Sequence, residues 1–219
     1  DLLVAALGAA LISVRDPSSQ THLKTLGIMS RLAPDMVHDL ASEYPMSPSG
    51  NAPYLTFQHK GVLLSRPGTI DLAAEQLVRL SRESHLDIVL LAAGLARGHD
   101  DLEVYGELVG AINTIDPGLR VSIHTERCPL AIVENIANSA LWIGSSLHGR
   151  IVAASYERPR VSLSTDKVDG YCAHWDPDFP FSAEVQDIAG HGARALELSR
   201  SNLKNDTGRL ARNNLSEII

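Results

Sequence analysis

The chain has 219 residues, 44% hydrophobic and 21% charged, with a net charge of −7, which supports a sizeable core in one large domain or one domain plus part of another. The acidic balance, with no basic stripe to offset it, argues against a nucleic-acid surface. Two cysteines, Cys128 and Cys172, lie far apart without metal-ligand spacing and read as free thiols in a reducing compartment.

In chain order, residues 2–14 are apolar but too few to span a bilayer. They lack the basic start of a signal peptide. We read them as a helix leading into a strand at 11–15, inside a larger protein cut ahead of this point. Asp16-Pro17-Ser18-Ser19 predicts a turn and helix start, then a short helix to about Leu26 and a second strand near Met36. Residues 41–53 are rich in Pro, Ser and Gly without hydrophobic period and predict a linker.

From Tyr54 strands and helices alternate. Short apolar runs predict strands at 54–58, 87–92, 120–124, 141–144 and 160–163, with helices at 70–84, 101–115, 130–138 and 147–156. Almost wholly apolar strands suit a parallel sheet covered on both faces, so the expected fold is α/β, a doubly wound Rossmann-like sheet. An irregular stretch follows Ser164, with one or two helices from Ser182 onward. The domain reading is 1–40, linker 41–53, main domain 54–199 and a C-terminal helix at 200–219.

In such a domain ligands gather at the carboxyl ends of the strands. The residues placed there are Gln58 and His59, 94–99, 124–126, 145–148 and 164–167, so four of the nine histidines fall on one edge. Ser145-Ser146-Leu147-His148-Gly149-Arg150 is the most informative stretch. A strand hands over to a helix there, the serines are good N-caps, and an unpaired helix N-terminus attracts anions. His148 supplies a proton carrier, Gly149 permits close approach, and Arg150 reads as either a ligand contact or a surface ion pair. Arg66 sits in a polar turn before a helix; Glu126 and Lys167 follow strands and could orient a substrate. Gly98-His99-Asp100-Asp101 looks metal-like, but Asp101 as N-cap with Asp100 complementing the dipole explains it better. A P-loop, a Gly-x-Ser-x-Gly elbow and a His-Glu-x-x-His helix are all absent from the sequence.

Residues 143–154 (Ile-Gly-Ser-Ser-Leu-His-Gly-Arg-Ile-Val-Ala-Ala), then Arg158-Pro159-Arg160-Val161-Ser162-Leu163 and Lys167-Val168, resemble the polysaccharide pyruvyl transferase family. Upstream, Ile12-Ser13-Val14-Arg15-Asp16, with Ala33-Pro34-Asp35, looks like the stretch that closes the family's first domain. The resemblance implies a GT-B-type architecture in which 1–40 ends an N-terminal acceptor-side domain, most of it missing, and 54–199 binds the donor. It implies transfer of pyruvate from phosphoenolpyruvate to two sugar hydroxyls as a cyclic ketal, with phosphate released. His148 is then the catalytic histidine, with Leu147 beside it. Ser146 stands where many members carry Arg, so Arg66 or Arg150 is expected to hold the donor. Ser145, Ser146, Leu147, Gly149, Glu126 and Lys167 complete the expected substrate-binding set. Phosphoenolpyruvate is the donor substrate, a saccharide or lipid-linked saccharide the acceptor; no metal, organic cofactor, nucleic acid or membrane span is expected, and the cytoplasm is the expected location. Two alternatives stay open: a nucleotide-sugar glycosyltransferase of the same shape, using Glu126 or Glu134, and a catalytically silent saccharide-binding module.

Overall fold

The computed structural model describes residues 12–46, 53–94, 99–199 and 207–216. The expected helix ahead of residue 11 and residues 47–52 of the expected linker lie outside them. Two short parallel strands, β1 (Ser13–Val14) and β2 (Arg31–Leu32), flank helix α1 (Pro17–Thr25), whose N-cap Asp16 accepts from the Ser19 N–H. The second strand therefore lies earlier than expected. Near Met36 the chain instead forms a 3-10 turn, Met36–Asp39, because the Asp35 carboxylate accepts from the Val37 N–H and closes a turn there. Helix α2 (Leu40–Glu43) continues it into the expected linker.

The main sheet is formed by β3 (Tyr54–Gln58), β4 (Asp87–Leu91), β5 (Val121–His124), β6 (Leu141–Gly144) and β7 (Arg160–Ser162), all parallel in the order β5-β4-β3-β6-β7. Helices α3 (Gly61–Leu64), α4 (Thr69–Ser84), α5 (Leu102–Ile115), α6 (Pro129–Asn138) and α7 (Leu147–Ser155) make the crossovers. This is the doubly wound α/β fold expected from the alternation of elements. After β7 come α8 (Asp166–Trp175), a 3-10 turn Val185–Asp187, α9 (Ile188–Ser199) and α10 (Thr207–Ser216). Helix α8 replaces the irregular stretch expected after Ser164. Its apolar period is weak, but Thr165 caps it by accepting from the Val168 N–H.

Strand alternation sorts the core into two layers. Leu55, Phe57, Ile88, Leu90 and Ile143 pack in one cluster with Leu77 of α4 and Leu108 of α5, while Leu91 and Trp142 join Ile136 of α6 and Val152 of α7 in another. Each fully buried large apolar side chain contributes about 1.5–3 kcal/mol. The small β1–α1–β2 unit is tied to this body: Trp175 Nε1–H donates to the Arg15 carbonyl at 2.8 Å, and the Ser13 hydroxyl donates to Asn214 of α10 at 3.2 Å.

Candidate active site

β3 and β6 are neighbours at the sheet's centre, and their connections leave in opposite directions, toward β4 and toward β7. A crevice opens at the carboxyl ends of such a strand pair. Gln58 ends β3 in register with Gly144, and the Ser145 N–H donates to the Gln58 carbonyl at 3.1 Å. Helix α7 begins one step later, where the N-cap Ser146 hydroxyl accepts from the Gly149 N–H at 3.2 Å. The other N–H groups of the first turn lack intrahelical acceptors and carry the positive end of the dipole. In front of them lies a cleft of about 670 Å³, bordered by Gln58, Asp100, Trp142, Ser145, His148 and Lys167 among others.

The rim is cationic. His148 is 61% exposed, with Nε2 3.8 Å from the Asp35 carboxylate and 3.4 Å from Arg15 Nη1. Arg15 Nη1 in turn meets Asp35 at 2.5 Å. Helix α8 steadies this group through Trp175, which holds the Arg15 carbonyl, and through the Tyr171 hydroxyl, which accepts from the Asp35 N–H at 3.0 Å. Burial alone would raise the Asp35 pKa; the Arg15 hydrogen bond, the Val37 N–H and the Arg15 charge outweigh it and hold the carboxyl below its usual range. Lys167 adds an exposed cation, and with Leu147 and Arg15 it also borders an adjoining hollow of about 330 Å³.

Buried polar side chains also border the cleft. Asp100 is 6% exposed and accepts from Gln58 Nε2 at 2.5 Å and from the N–H groups of Ala93 and Gly94 at 2.8 and 3.0 Å. Burial raises its pKa above the usual carboxylate value against the pull of those hydrogen bonds. Gln58 Oε1, Trp142 Nε1 and Ser145 Oγ are buried and find no partner among the described residues. Each such orphan costs about 1–3 kcal/mol unless something binds it. The walls are apolar, drawn from Leu91, Ile132, Val133, Ile136 and Val152.

Of the expected site residues, the structure gathers His148, Ser145, Ser146, Leu147, Gly149 and Lys167 around the cleft. Their roles differ. Ser146 is engaged as the N-cap, and Leu147, 4% exposed, packs with Ile151, Val168 and Tyr171. Gly149 serves packing more than ligand approach: a Cβ there would stand 2.6 Å from Cζ2 of the Trp142 indole.

Three expectations are corrected. Arg150 is neither a ligand contact nor a surface ion pair. It is 1% exposed, and its five N–H groups go to Asp176, Ser162 and the carbonyls of Asp176, Phe179 and Pro180. Two positions past His148 on the helix, it projects toward β7 rather than the cleft. Arg66 is exposed beside a separate shallow hollow shared with Asp71 and Glu107, because its turn lies on the α4–α5 side. Glu126 is exposed beyond β5 and does not border the cleft, whereas its neighbour Arg127 does.

Gln58 was expected on the ligand edge, whereas Arg15, Asp35, Asp100 and Trp142 were not among the expected site residues. The paired Asp100-Asp101 carried a usable signal, since only one of the two can cap α5. Asp101 does so by accepting from the Glu103 N–H, which leaves Asp100 for the cleft. Among the described residues no cluster of three or more His, Cys, Asp or Glu side chains is arranged to hold a metal, and no helix is long and apolar enough to cross a membrane.

A parallel sheet of this order, with a helix N-terminus opening on its central crevice, defines a Rossmann-like α/β domain. The sequence match narrows this: the family model for polysaccharide pyruvyl transferase matches residues 3–167, and the chain belongs to that family. Among curated proteins no sequence match is found. Solved structures share the fold at low identity. The UDP-GlcNAc 2-epimerase of Methanocaldococcus jannaschii superposes with a TM-score of 0.65 at 12% identity, over 95% of this chain and 61% of that one. The S. aureus MnaA–UDP co-structure gives 0.64 at 13% identity, over 95% and 58%. S. aureus TarM in complex with fondaparinux, alpha-GlcNAc-glycerol and UDP gives 0.52 at 13% identity, over 94% and 40%. The chain thus spans about three fifths or less of the length of these structures.

Proposed function

We propose that the protein transfers a pyruvyl group from phosphoenolpyruvate to two hydroxyls of a saccharide, as a cyclic ketal, in cell-surface or exopolysaccharide biosynthesis. The observation that carries this reading is His148 in the first turn of α7, within reach of Arg15 and at the mouth of the cleft. Phosphoenolpyruvate carries a carboxylate and a phosphate. The α7 N-terminus and the cations Arg15 and Lys167 suit both, taking the place of Arg66 and Arg150.

Ketal formation needs a proton at the methylene carbon, an oxocarbenium-like centre at C2 and departure of phosphate. His148 is the proton carrier at the methylene; Arg15 and Lys167 stabilise the leaving phosphate. No metal or organic cofactor enters the scheme. Phosphoenolpyruvate is a cytosolic metabolite, so the reaction is placed in the cytoplasm, with a free or lipid-linked saccharide as acceptor. A nucleotide-sugar transferase is less well supported, since Glu126 and Glu134 are both exposed and outside the cleft lining.

The test is incubation of the protein with phosphoenolpyruvate and a panel of glycans. Released phosphate with a matching mass gain on one glycan supports the reading. Thermal stabilisation by UDP-sugars but not by phosphoenolpyruvate would replace it with the nucleotide-sugar alternative, and stabilisation by glycans alone with the silent module.

A further inference from the structure

One nitrogen ties the rim together. Arg15 Nη1 meets Asp35 Oδ2 at 2.5 Å and His148 Nε2 at 3.4 Å, and the same Asp35 oxygen lies 3.8 Å from Nε2. A guanidinium has N–H donors and no acceptor, so its contact with Nε2 is a hydrogen bond only when that nitrogen carries a lone pair. This arrangement therefore holds a neutral imidazole with its proton on Nδ1. A protonated Nε2 needs an acceptor instead, and Asp35 Oδ2 is the carboxylate oxygen beside it. Asp35 Oδ1 is already committed to the Val37 N–H at 3.2 Å, which leaves Oδ2 to be shared between Arg15 and His148. Burial raises the Asp35 pKa, but Arg15 and the Val37 N–H keep it ionised, and charge on His148 lowers it further. The Arg15 and His148 side chains, 33% and 61% exposed, can be reached by a ligand; Asp35, at 14%, is largely covered. Lys60, Arg127 and Lys167 also border the cleft and oppose a charged imidazole, as does a protonated His99. Asp100 is taken up by Gln58 and two backbone N–H groups, and Asp16 by Ser18 and Ser19. Asp166 and Tyr171 border the adjoining hollow, and burial keeps His38, near Asp35, neutral down to about 4.

We propose that Asp35 is a positioning residue that charges His148 when the donor binds: phosphoenolpyruvate draws Arg15 away from Nε2 and Asp35, and the freed carboxylate holds a proton on Nε2. The inference deepens the pyruvyl-transfer reading above and rests on it. The donor's carboxylate and phosphate can each take a guanidinium with two parallel hydrogen bonds, which the single Oδ2 cannot match. Without its cation, Asp35 favours the charged form of the imidazole beside it. The acid is thus made when a donor is in place to use it. The proton count closes. Nε2 takes one proton from solvent and delivers it to the methylene carbon, which becomes the methyl group. The two sugar oxygens bond to C2, and phosphate leaves with the C2–O electron pair. Of the two hydroxyl protons released, one returns to solvent and the other departs on hydrogen phosphate. The Nε2 lone pair then accepts from Arg15 again.

The test is calorimetric titration with phosphoenolpyruvate, without acceptor, in two buffers of different ionisation enthalpy. It is run at about pH 8, where a phosphate with a second pKa of roughly 6 is already fully ionised. The difference between the buffers counts protons taken up on binding. The wild type is expected to take up a proton, to the extent of about one per site at most. Asp35→Asn and His148→Gln are expected to take up none, although Asn keeps an acceptor for the Val37 N–H. In turnover, Asp35→Asn is expected to lower kcat on the order of 10²-fold without raising KM for phosphoenolpyruvate, and to move the alkaline limb of the kcat profile to lower pH. Asp35→Glu, which restores a carboxylate, recovers part of kcat. No uptake in the wild type, undiminished uptake in Asp35→Asn, or a KM that rises as far as kcat falls overturns the role. If Asp35→Asn does not fold, His148→Gln decides on uptake, because its side chain is exposed. A wild type that does not bind phosphoenolpyruvate overturns the pyruvyl-transfer reading instead, and the same two-buffer titration with inorganic phosphate, an anion that also draws on Arg15, still decides the coupling.

Discussion

Asp176 bridges Arg150 and Arg160 in the interior, accepting from Arg150 Nε at 2.7 Å and from Arg160 Nη2 at 2.5 Å. All three side chains are at most 7% exposed. Burial by itself would raise the Asp176 pKa, but the two guanidinium charges and their hydrogen bonds lower it, so the residue stays ionised. The loop after α8 is thereby clamped to β7 and α7. Breaking one partner of a buried ion group typically costs about 3–5 kcal/mol. Asp176→Asn and Arg150→Lys should each lower the urea unfolding free energy by roughly that amount. A loss below about 1 kcal/mol would show that the clamp is not what holds this loop.

His148 lies at the opposite extreme. Exposed by 61% and in polar contact with the rim pair Arg15 and Asp35, it contributes little to the fold. His148→Ala should cut turnover about 10²–10⁴-fold and leave the thermal midpoint within a degree or two (about 0.5 kcal/mol or less for a surface change). Arg15→Ala should raise KM for phosphoenolpyruvate. Wild-type turnover in the His148 variant would end its catalytic assignment.

Two other histidines give the protein a pH dependence. His38 and His59 are buried, and burial pushes both down from 6.5 to about 4; around His38 the charges of Asp176 and Asp35 partly oppose this, and around His59 Lys60 and Arg66 add to it. In the unfolded chain both protonate as pH falls through 6.5, whereas in the folded state they stay neutral until about 4. Stability is therefore full above 6.5 and is lost as pH falls through that window, by about 3 kcal/mol per histidine. Urea titrations from pH 7 to 4 should show this slope, and His59→Gln should flatten it by about half. Below the window, Asp176 removes more stability as its depressed folded pKa is reached.

The glycines separate packing from freedom. A Cβ on Gly149 would press on Trp142 at 2.6 Å, so Gly149→Ala should destabilise by about 1–3 kcal/mol. Gly106 and Gly110 sit on the exposed side of α5 with nothing within 4 Å of an added Cβ. Alanine at either should stabilise by about 0.5–1 kcal/mol. Thermal melts of the three variants test both statements, and a stabilised Gly149→Ala would contradict the packing beneath α7.

The local chemistry of this chain is written in its sequence. Apolar runs of four or five residues bounded by caps announce β3 to β7 and the helices α4 to α7, since burial on both faces leaves a parallel strand little freedom of composition. The cap at Ser146, with His148 two residues on, places the imidazole at a helix mouth before any fold is known. Where long-range partners decide, sequence is silent. Arg150 and His148 look equally available in one helical turn, yet Asp176, 26 residues away from Arg150, draws the guanidinium into the core. Asp100 reads as a helix-end charge until the crossover from β4 brings it beneath Gln58, 42 residues earlier. Strand order is likewise tertiary: the pairing of β3 with both β4 and β6 brings Gln58, Ser145 and Asp100 to one crevice, because a site built from strand ends exists only once those strands are neighbours.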